Sequence, residues 1–299
     1  MACTEMVSAS GLIYQNPETA KILQTSPEDT PLVVQIFGSD PPTISQAVAK
    51  LKKQGVKYVD LNCGCSVKKV LKTGAGAALL TDSTKIVTII QTIQEHYLAS
   101  QIGIKTRLGF ELNQDVYLKL AEKLSKIGIG WITLHPRYAK QKFAGQAKHE
   151  ALKNLKQHFP QLKVIGSGDL LTAQDGVRCI KSTGIDGIMF ARGALANPYV
   201  FTDYKALLKT GRLPQANLGQ RLISLLKRFA FYYQKYPHYS VLKMRTLLPK
   251  MIKNIPQAKK IRIKLTQINS WQEVQAVIDQ LQNHLQQEVS HGQAHNCST

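Results

Sequence analysis

The chain is 299 residues long, 43% hydrophobic, and carries 39 Lys and Arg against 19 Asp and Glu, a formal net charge of +20. Such a chain can bury a large core, which excludes a disordered segment or a disulfide-stapled miniprotein, and no run approaches the roughly twenty apolar residues of a membrane span. Five scattered cysteines and a start with no basic, then apolar, leader read as a reduced, cytoplasmic protein without a signal peptide.

From the amino end, residues 4–8 form a short strand candidate, and helix signals follow at 17–23. Apolar runs at 31–38, 57–62, 102–109, 130–135, 163–168 and 187–193 then alternate with helical patterns at 44–54, 84–98, 115–127, 147–158 and 172–182. This alternation means βαβ units and a parallel sheet. Each long strand ends in groups able to do chemistry: Gln35, Asn62 with Cys65, Lys105 with Arg107, His135 with Arg137, Ser167 with Asp169, and Arg192. In a (β/α)8 barrel the carboxyl ends of all strands share one face, where active sites lie. A doubly wound open sheet would gather such groups at one switch point. The recurrence favours the barrel. Only seven strands are found, so the expected fold is an α/β, TIM-type (β/α)8 barrel lacking its first strand, which would precede Thr4.

Residues 61–70 crowd a thiol, an amide and a lysine pair into one strand-to-helix turn: Asn62, Cys63, Gly64, Cys65, Lys68 and Lys69. A free thiol is usually a small buried apolar group, so one on a turn is a candidate for chemistry. An ordinary thiol, with a pKa near about 8.5, is protonated at neutral pH and can act as a general acid. The dull reading is an inert turn cysteine. Cys63 and Cys65 have no further ligands at metal-site spacing, so no metal is expected.

After Pro198 the strand period stops. Residues 218–235, 239–252, 258–268 and 270–288 read as helices, broken at Pro237, Pro256 and the Asn269-Ser270 step. Ser270 is an N-cap candidate, with Glu273 completing a capping box. The expected division is an N-terminally truncated barrel domain over 1–203, a small all-helical domain over 204–289 and a disordered tail over 290–299. From Tyr204 to Gln272 there is no Asp or Glu, against fifteen Lys and Arg, while the rest of the chain holds 24 basic and 19 acidic residues. So long an acid-free stretch points to a polyanionic partner, a nucleic acid.

Several ordered segments resemble the flavin-dependent tRNA-dihydrouridine synthases: Thr4 to Ala9, Val34 to Ser39, Asp60 to Val70, Lys105 to Gly109, Gly166 to Asp169 and Asp186 to Phe201. The resemblance implies an FMN-binding barrel followed by a helical tRNA-binding domain. It implies reduction of a tRNA uridine to 5,6-dihydrouridine, with NADPH (or NADH) as reductant of the FMN. Hydride would reach C6 of the uracil, and Cys65 would give a proton to C5. By the same resemblance Lys105 approaches the flavin N1/C2 carbonyl edge, and Gln35 and His135 contact the isoalloxazine. For His135 the alternative is a satisfied histidine at a strand end. Asn62 and Arg107 would face the uracil, and Ser167, Gly168, Asp169, Ala191 and Arg192 would hold the FMN phosphate.

The chain departs from the family pattern at Ser66, where proline is usual, at Ser167, where asparagine is usual, and at Ala191 and Pro136, where glycine is common. Nothing maps onto the family's first-strand contact to FMN, so weak or absent FMN retention is expected. No membrane or protein partner is implied, and nothing demands more than a monomer. Two other readings are a catalytically impaired RNA-binding homologue and another FMN-dependent TIM-barrel oxidoreductase acting on a small molecule. The latter leaves the basic helical domain unexplained.

Overall fold

The computed structural model describes residues 1–26, 28–215, 217–235, 241–253, 255 and 257–295. The chain forms two compact units: Met1–Leu170 with Gln174–Ala191, and Leu171–Ala173 with Arg192–Thr299.

In the first unit, β1 (Ala2–Cys3) and β2 (Val7–Ser8) both lie parallel to β3 (Leu32–Phe37), β1 against its start and β2 against its end. They are two pieces of one strand position. In the gap between them the Thr4 hydroxyl oxygen accepts the Gln35 backbone N–H at 3.1 Å, a side chain standing in for a ladder bond. Helices α1 (Ala9–Ile13) and α2 (Pro17–Ile22) precede β3. Then come α3 (Pro41–Lys53), β4 (Tyr58–Cys63), α4 (Lys68–Leu71), α5 (Ser83–Gln94) and β5 (Ile102–Arg107). The series closes with α6 (Tyr117–Ile127), β6 (Trp131–His135), α7 (Glu150–His158), β7 (Val164–Ser167), α8 (Ala173–Thr183) and β8 (Gly187–Met189).

Every pairing is parallel, and from β3 to β8 the strand order follows the sequence. Right-handed crossovers without a reversal of order keep all helices on one face of the sheet, which is barrel winding. Among the described residues no pairing joins β8 to β1, so the ladder stays open, a partial barrel of seven strand positions.

Alternation along the strands separates the two faces. Val34, Ile36, Val59, Leu61, Cys63, Ile104 and Leu134 are buried on the helix side. Against them α3 buries Ile44, Ala47, Val48 and Leu51, and α5 buries Ile86, Ile89, Ile90 and Ile93, each set one helical stripe. Each such Val, Leu or Ile side chain contributes about 1.5–3 kcal/mol by leaving water. The start of α3 is fixed by Asp40, whose carboxylate accepts the Thr43 N–H at 3.0 Å, and by Pro41 at the first helical position. The other face carries Gln35, Asp60, Asn62, Gly103, Lys105, Arg107, Trp131, Thr133, His135 and Ser167, which with Val33, Phe37, Tyr58 and Ile165 are the alternate residues of β3 to β7. A sheet face this polar positions chemistry more than it packs.

The second unit holds α9 (Arg192–Ala196), α10 (Val200–Thr210), α11 (Leu218–Lys235), α12 (Val241–Met251), α13 (Ala258–Gln267) and α14 (Trp271–His295). Leu226, Met244, Leu248, Ile261, Leu265, Val274 and Ile278 form its core. Ser270 accepts the Glu273 N–H at 3.2 Å, as the N-cap reading expects, while the Glu273 carboxylate reaches back to the Asn269 N–H at 2.9 Å.

Two domain boundaries differ from the sequence reading. The domain division expected between 203 and 204 would cut α10, a continuous helix, and the compact units part at Ala191. The tail expected to be disordered from 290 continues α14 as far as His295, because no proline interrupts the helix after Trp271. Residues 296–299 lie outside the described residues, as do Pro237, Tyr239 and Pro256. Among the described residues no helix is long and apolar enough to cross a membrane.

Candidate functional site

The turn after β4 is held by a line of buried side chains. The Asn62 amide oxygen accepts the backbone N–H groups of Gly64 at 3.2 Å and Cys65 at 2.9 Å. Its NH2 donates to the Gln35 amide oxygen at 2.7 Å. The Gln35 NH2 donates to the Asp60 carboxylate at 2.7 Å, and the Trp131 indole N–H donates to the other carboxylate oxygen at 3.1 Å. Backbone N–H groups only donate and a carboxylate only accepts, so both ends of the line require the same orientation of both amides. Gly103 allows the indole to reach Asp60, since a Cβ there would lie 2.0 Å from the Trp131 ring. Burial raises the Asp60 pKa to about 6, against the hydrogen bond from Gln35 and the charge of Lys105.

Three further contacts place Cys65 itself. Its carbonyl accepts the Ala77 N–H at 2.9 Å. Gly76 turns beneath it with φ +63°, where a Cβ would stand 2.7 Å from the Cys65 oxygen. Arg107 donates from Nε to the Gly64 carbonyl at 2.8 Å, and from Nη1 to the Tyr138 and Lys142 carbonyls at 3.1 and 3.0 Å. The Cys65 thiol is half-buried, whereas Cys63 is fully buried on the helix side, with its pKa pushed well up by burial and then by Asp60.

The loop after β6 wraps around a second arginine. Arg137, almost wholly buried, donates from Nη2 to the Asp169 carboxylate and to the Gly145 carbonyl, both at 2.6 Å, and from Nη1 to His135 Nε2 at 3.2 Å. An arginine has no acceptor, so His135 Nε2 accepts and Nδ1 carries the proton. Burial, then the cations Arg107, Lys105 and Arg137, lower the His135 pKa to about 3 against the pull of Asp169. His135 is therefore a neutral donor. The loop's fold explains why α7 starts at Glu150, later than its periodicity implies.

Several donors on this face have no partner among the described residues. The Thr133 hydroxyl is the one buried side-chain polar atom left without a hydrogen bond. Directly across the ladder stands Lys105, whose ammonium makes no hydrogen bond or ion pair. Burial lowers its pKa, Asp60 opposes that, and Arg107 adds to it. His135 Nδ1–H is the third. A buried unpaired donor costs free energy, and the buried Thr133 hydroxyl beside the unpaired donors of Lys105 and His135 marks the place of an acceptor-rich ligand.

The residues read from the sequence divide accordingly. Gln35, Asn62, Cys65, Lys105, Arg107, His135 and Ser167 share the inner face at the carboxyl ends of the strands or the turn beyond. Gln35 and Asn62 each use both ends of the amide within the protein and keep one N–H each, and Arg107 is engaged with backbone carbonyls. The Asp169 carboxylate binds Arg137 and the Ala147 N–H, the latter at 2.8 Å, which suits a loop anchor better than a ligand of an anion. Gly168 gives its carbonyl to His149 Nε2 at 2.9 Å. Ala191 ends the first unit, exposed. Arg192 opens α9 in the second unit, also exposed.

These elements match a known pattern over nearly the whole chain. The family model described as dihydrouridine synthase (Dus) matches residues 1–290. The chain belongs to the dihydrouridine synthase family. It is 29% identical to the probable tRNA-dihydrouridine synthase 1 of Synechocystis sp., over 94% of this chain and 78% of that one. It is 35% identical to the probable tRNA-dihydrouridine synthase of Aquifex aeolicus, over 68% of this chain and 64% of that one. With tRNA-dihydrouridine synthase B of Pseudomonas aeruginosa it shares 28% identity over 77% of this chain and 69% of that one. Superposition on morphinone reductase reaches a TM-score of 0.41 at 16% identity, over 59% of this chain and 50% of that one.

Membership in the dihydrouridine synthases implies a flavin and a nicotinamide reductant. The inner face fits a flavin: the orphaned Thr133 hydroxyl, the Lys105 ammonium and His135 Nδ1–H are all donors, matching the acceptor edge of the ring. Two residues of this dihydrouridine synthase escaped the sequence reading of the site, Asp60 and Thr133, while Arg137 was found as a strand-end group without a role. Asp60 lies two residues before Asn62 and Thr133 two residues before His135, so a period-two reading of β4 and β6 finds them.

Proposed function

We propose that this chain is a tRNA-dihydrouridine synthase that reduces a uridine of tRNA to 5,6-dihydrouridine, with FMN as the flavin and NADPH as its reductant. The observation that carries the reading is the set of unpartnered donors at Lys105, Thr133 and His135 on the same sheet face as the Cys65 turn. When bound, FMN supplies the hydride for C6 of the uracil. The protein's own groups do the rest. Lys105 holds a fixed cation at the flavin's acceptor edge, where reduction builds negative charge. Thr133 and His135 Nδ1–H add neutral hydrogen bonds. Cys65 Sγ–H gives a proton to C5 of the uracil, while Asn62, Gln35 and Arg107 keep its turn in place. The remaining N–H groups of Gln35 and Asn62 are available to flavin or base. Ser167, Gly168 and the backbone after it form the candidate phosphate loop, and the part of Arg192 there rests on the resemblance alone. The acid-free helical stretch suits tRNA as the polyanion.

The test is mass spectrometry of tRNA nucleosides from cells lacking this protein. One uridine position is expected to lose its two added hydrogens, and Cys65→Ala, supplied back, should leave it unreduced. Unchanged dihydrouridine in the deletion strain would sink the reading.

A further inference from the structure

We propose that a groove between the start of α10 and the middle of α11 captures one unstacked base of an RNA strand. The proposal rests on RNA being the substrate class and adds a subsite for it within the second unit. Leu225, Arg228, Phe229 and Tyr232 recur on one stripe of α11, and Tyr199 and Thr202 face them across a cavity of about 350 Å³. That volume lies at the small end of the about 300–1,000 Å³ range of ligand pockets, too small for a peptide helix and suited to a base with its sugar.

The aromatic wall is built before any ligand arrives. The Arg221 guanidinium lies over the Tyr199 ring, 4.9 Å from its centroid, and is tied in turn to both oxygens of Asp203 at 2.8 and 2.9 Å. That pair neutralises Asp203, the last acidic residue before the acid-free stretch that runs from Tyr204 to Gln272. A phosphate next to the groove therefore meets Arg228 and the exposed Lys227 with no carboxylate from that stretch to repel it. Aromatic rings, an arginine and an uncompensated basic surround are the composition of a stacking site for single-stranded nucleic acid. Stacking accepts any base, so the groove anchors the strand and leaves choice of the reacting uridine to the barrel face.

The probes are a six-nucleotide oligouridylate carrying one central 2-aminopurine and the same oligonucleotide with an abasic residue there. With the full chain, the intact probe should bind roughly five- to hundredfold more tightly than the abasic one, and its fluorescence should fall on binding as the base stacks. Tyr232→Leu keeps the apolar bulk and removes the ring, and it should erase that difference while abasic binding stays unchanged. Arg228→Gln, a surface change, should weaken both probes and reduce the salt slope. Equal affinity for intact and abasic probes, or a difference that survives Tyr232→Leu, overturns the proposal, as does failure to bind either. The nucleoside test in cells is separate: dihydrouridine can persist with base capture refuted, or vanish with it intact.

Discussion

The Asp60 carboxylate and the Cys65 backbone N–H are the two ends of one hydrogen-bonded line through Gln35 and Asn62. Asp60 touches neither thiol nor substrate position, yet it sets which way both amides face. In Asp60→Asn one of the two donors, Gln35 or Trp131, meets an NH2 and loses its acceptor. The cost is about 1–3 kcal/mol of stability for a buried unsatisfied group. Urea unfolding should show that loss, and turnover should fall with little change in substrate KM, because positioning of the thiol is what fails. A variant with parental turnover would show that the line is not needed.

Gly76 lies directly under the Cys65 carbonyl at φ +63°, with Val70 also crowding the missing Cβ at 2.8 Å. Gly76→Ala meets both clash and strain, a cost of about 1–3 kcal/mol. Thermal denaturation reads the stability. The rate of iodoacetamide reaction at Cys65 reads the displacement of the turn, in a Cys3→Ser, Cys297→Ser background. An unchanged rate would mean that the turn is held without the glycine.

Lys105→Met should act in opposite directions on two properties. It removes a desolvated ammonium without a partner, so the flavin-free protein should become more stable or stay level. FMN affinity should fall at least about tenfold, the equivalent of about 1.4 kcal/mol. Equilibrium dialysis with FMN and urea unfolding of the flavin-free protein check the pair. A loss of stability without loss of FMN affinity would make Lys105 a structural residue.

His135 and Asp60 predict opposite pH dependences. The His135 pKa falls from 6.5 to about 3 on folding. Between those values the unfolded chain binds a proton that the folded chain refuses, so this contribution to stability declines as pH is lowered from 6.5 towards 3. The Asp60 pKa rises from 3.8 to about 6, so its contribution declines as pH is raised through that window. His135→Asn removes the first and keeps the second. Relative to the parent, its urea midpoint should improve steadily as pH drops from about 6.5 to about 4. A constant gap between the two proteins across that range would mean that His135 is not held neutral.

The strand and helix positions were legible because hydrophobic period and glycine or proline punctuation coincide along 31–189. The open ladder was legible too, as a count of seven strands. The inward chemistry of β5 could be read from Lys105 and Arg107, two polar residues at alternate positions in an apolar run. What sequence did not reveal was how those groups are used. Arg137 and Asp169 are distant in the chain and meet only because the loop after β6 folds back on itself. Asn62 and Arg107 read as ligands of a substrate from the sequence, and that each also braces the turn, Asn62 through the Gly64 and Cys65 N–H groups and Arg107 through the Gly64 carbonyl, shows only in three dimensions. The helical limits at the carboxyl end were least legible, since a polar segment such as 290–295 continues a helix with no apolar stripe to announce it.

Because every reactive group on the sheet sits at an odd or even place shared with its neighbours, the fold should be far less tolerant of length changes than of substitutions. One residue deleted ahead of Lys105 would rotate Ile104 into the reaction chamber and drive the ammonium into the greasy seam beneath α5. Variation among related chains should therefore accumulate as gained or lost residues in the connections, with the six strands from β3 to β8 keeping their spacing to the residue.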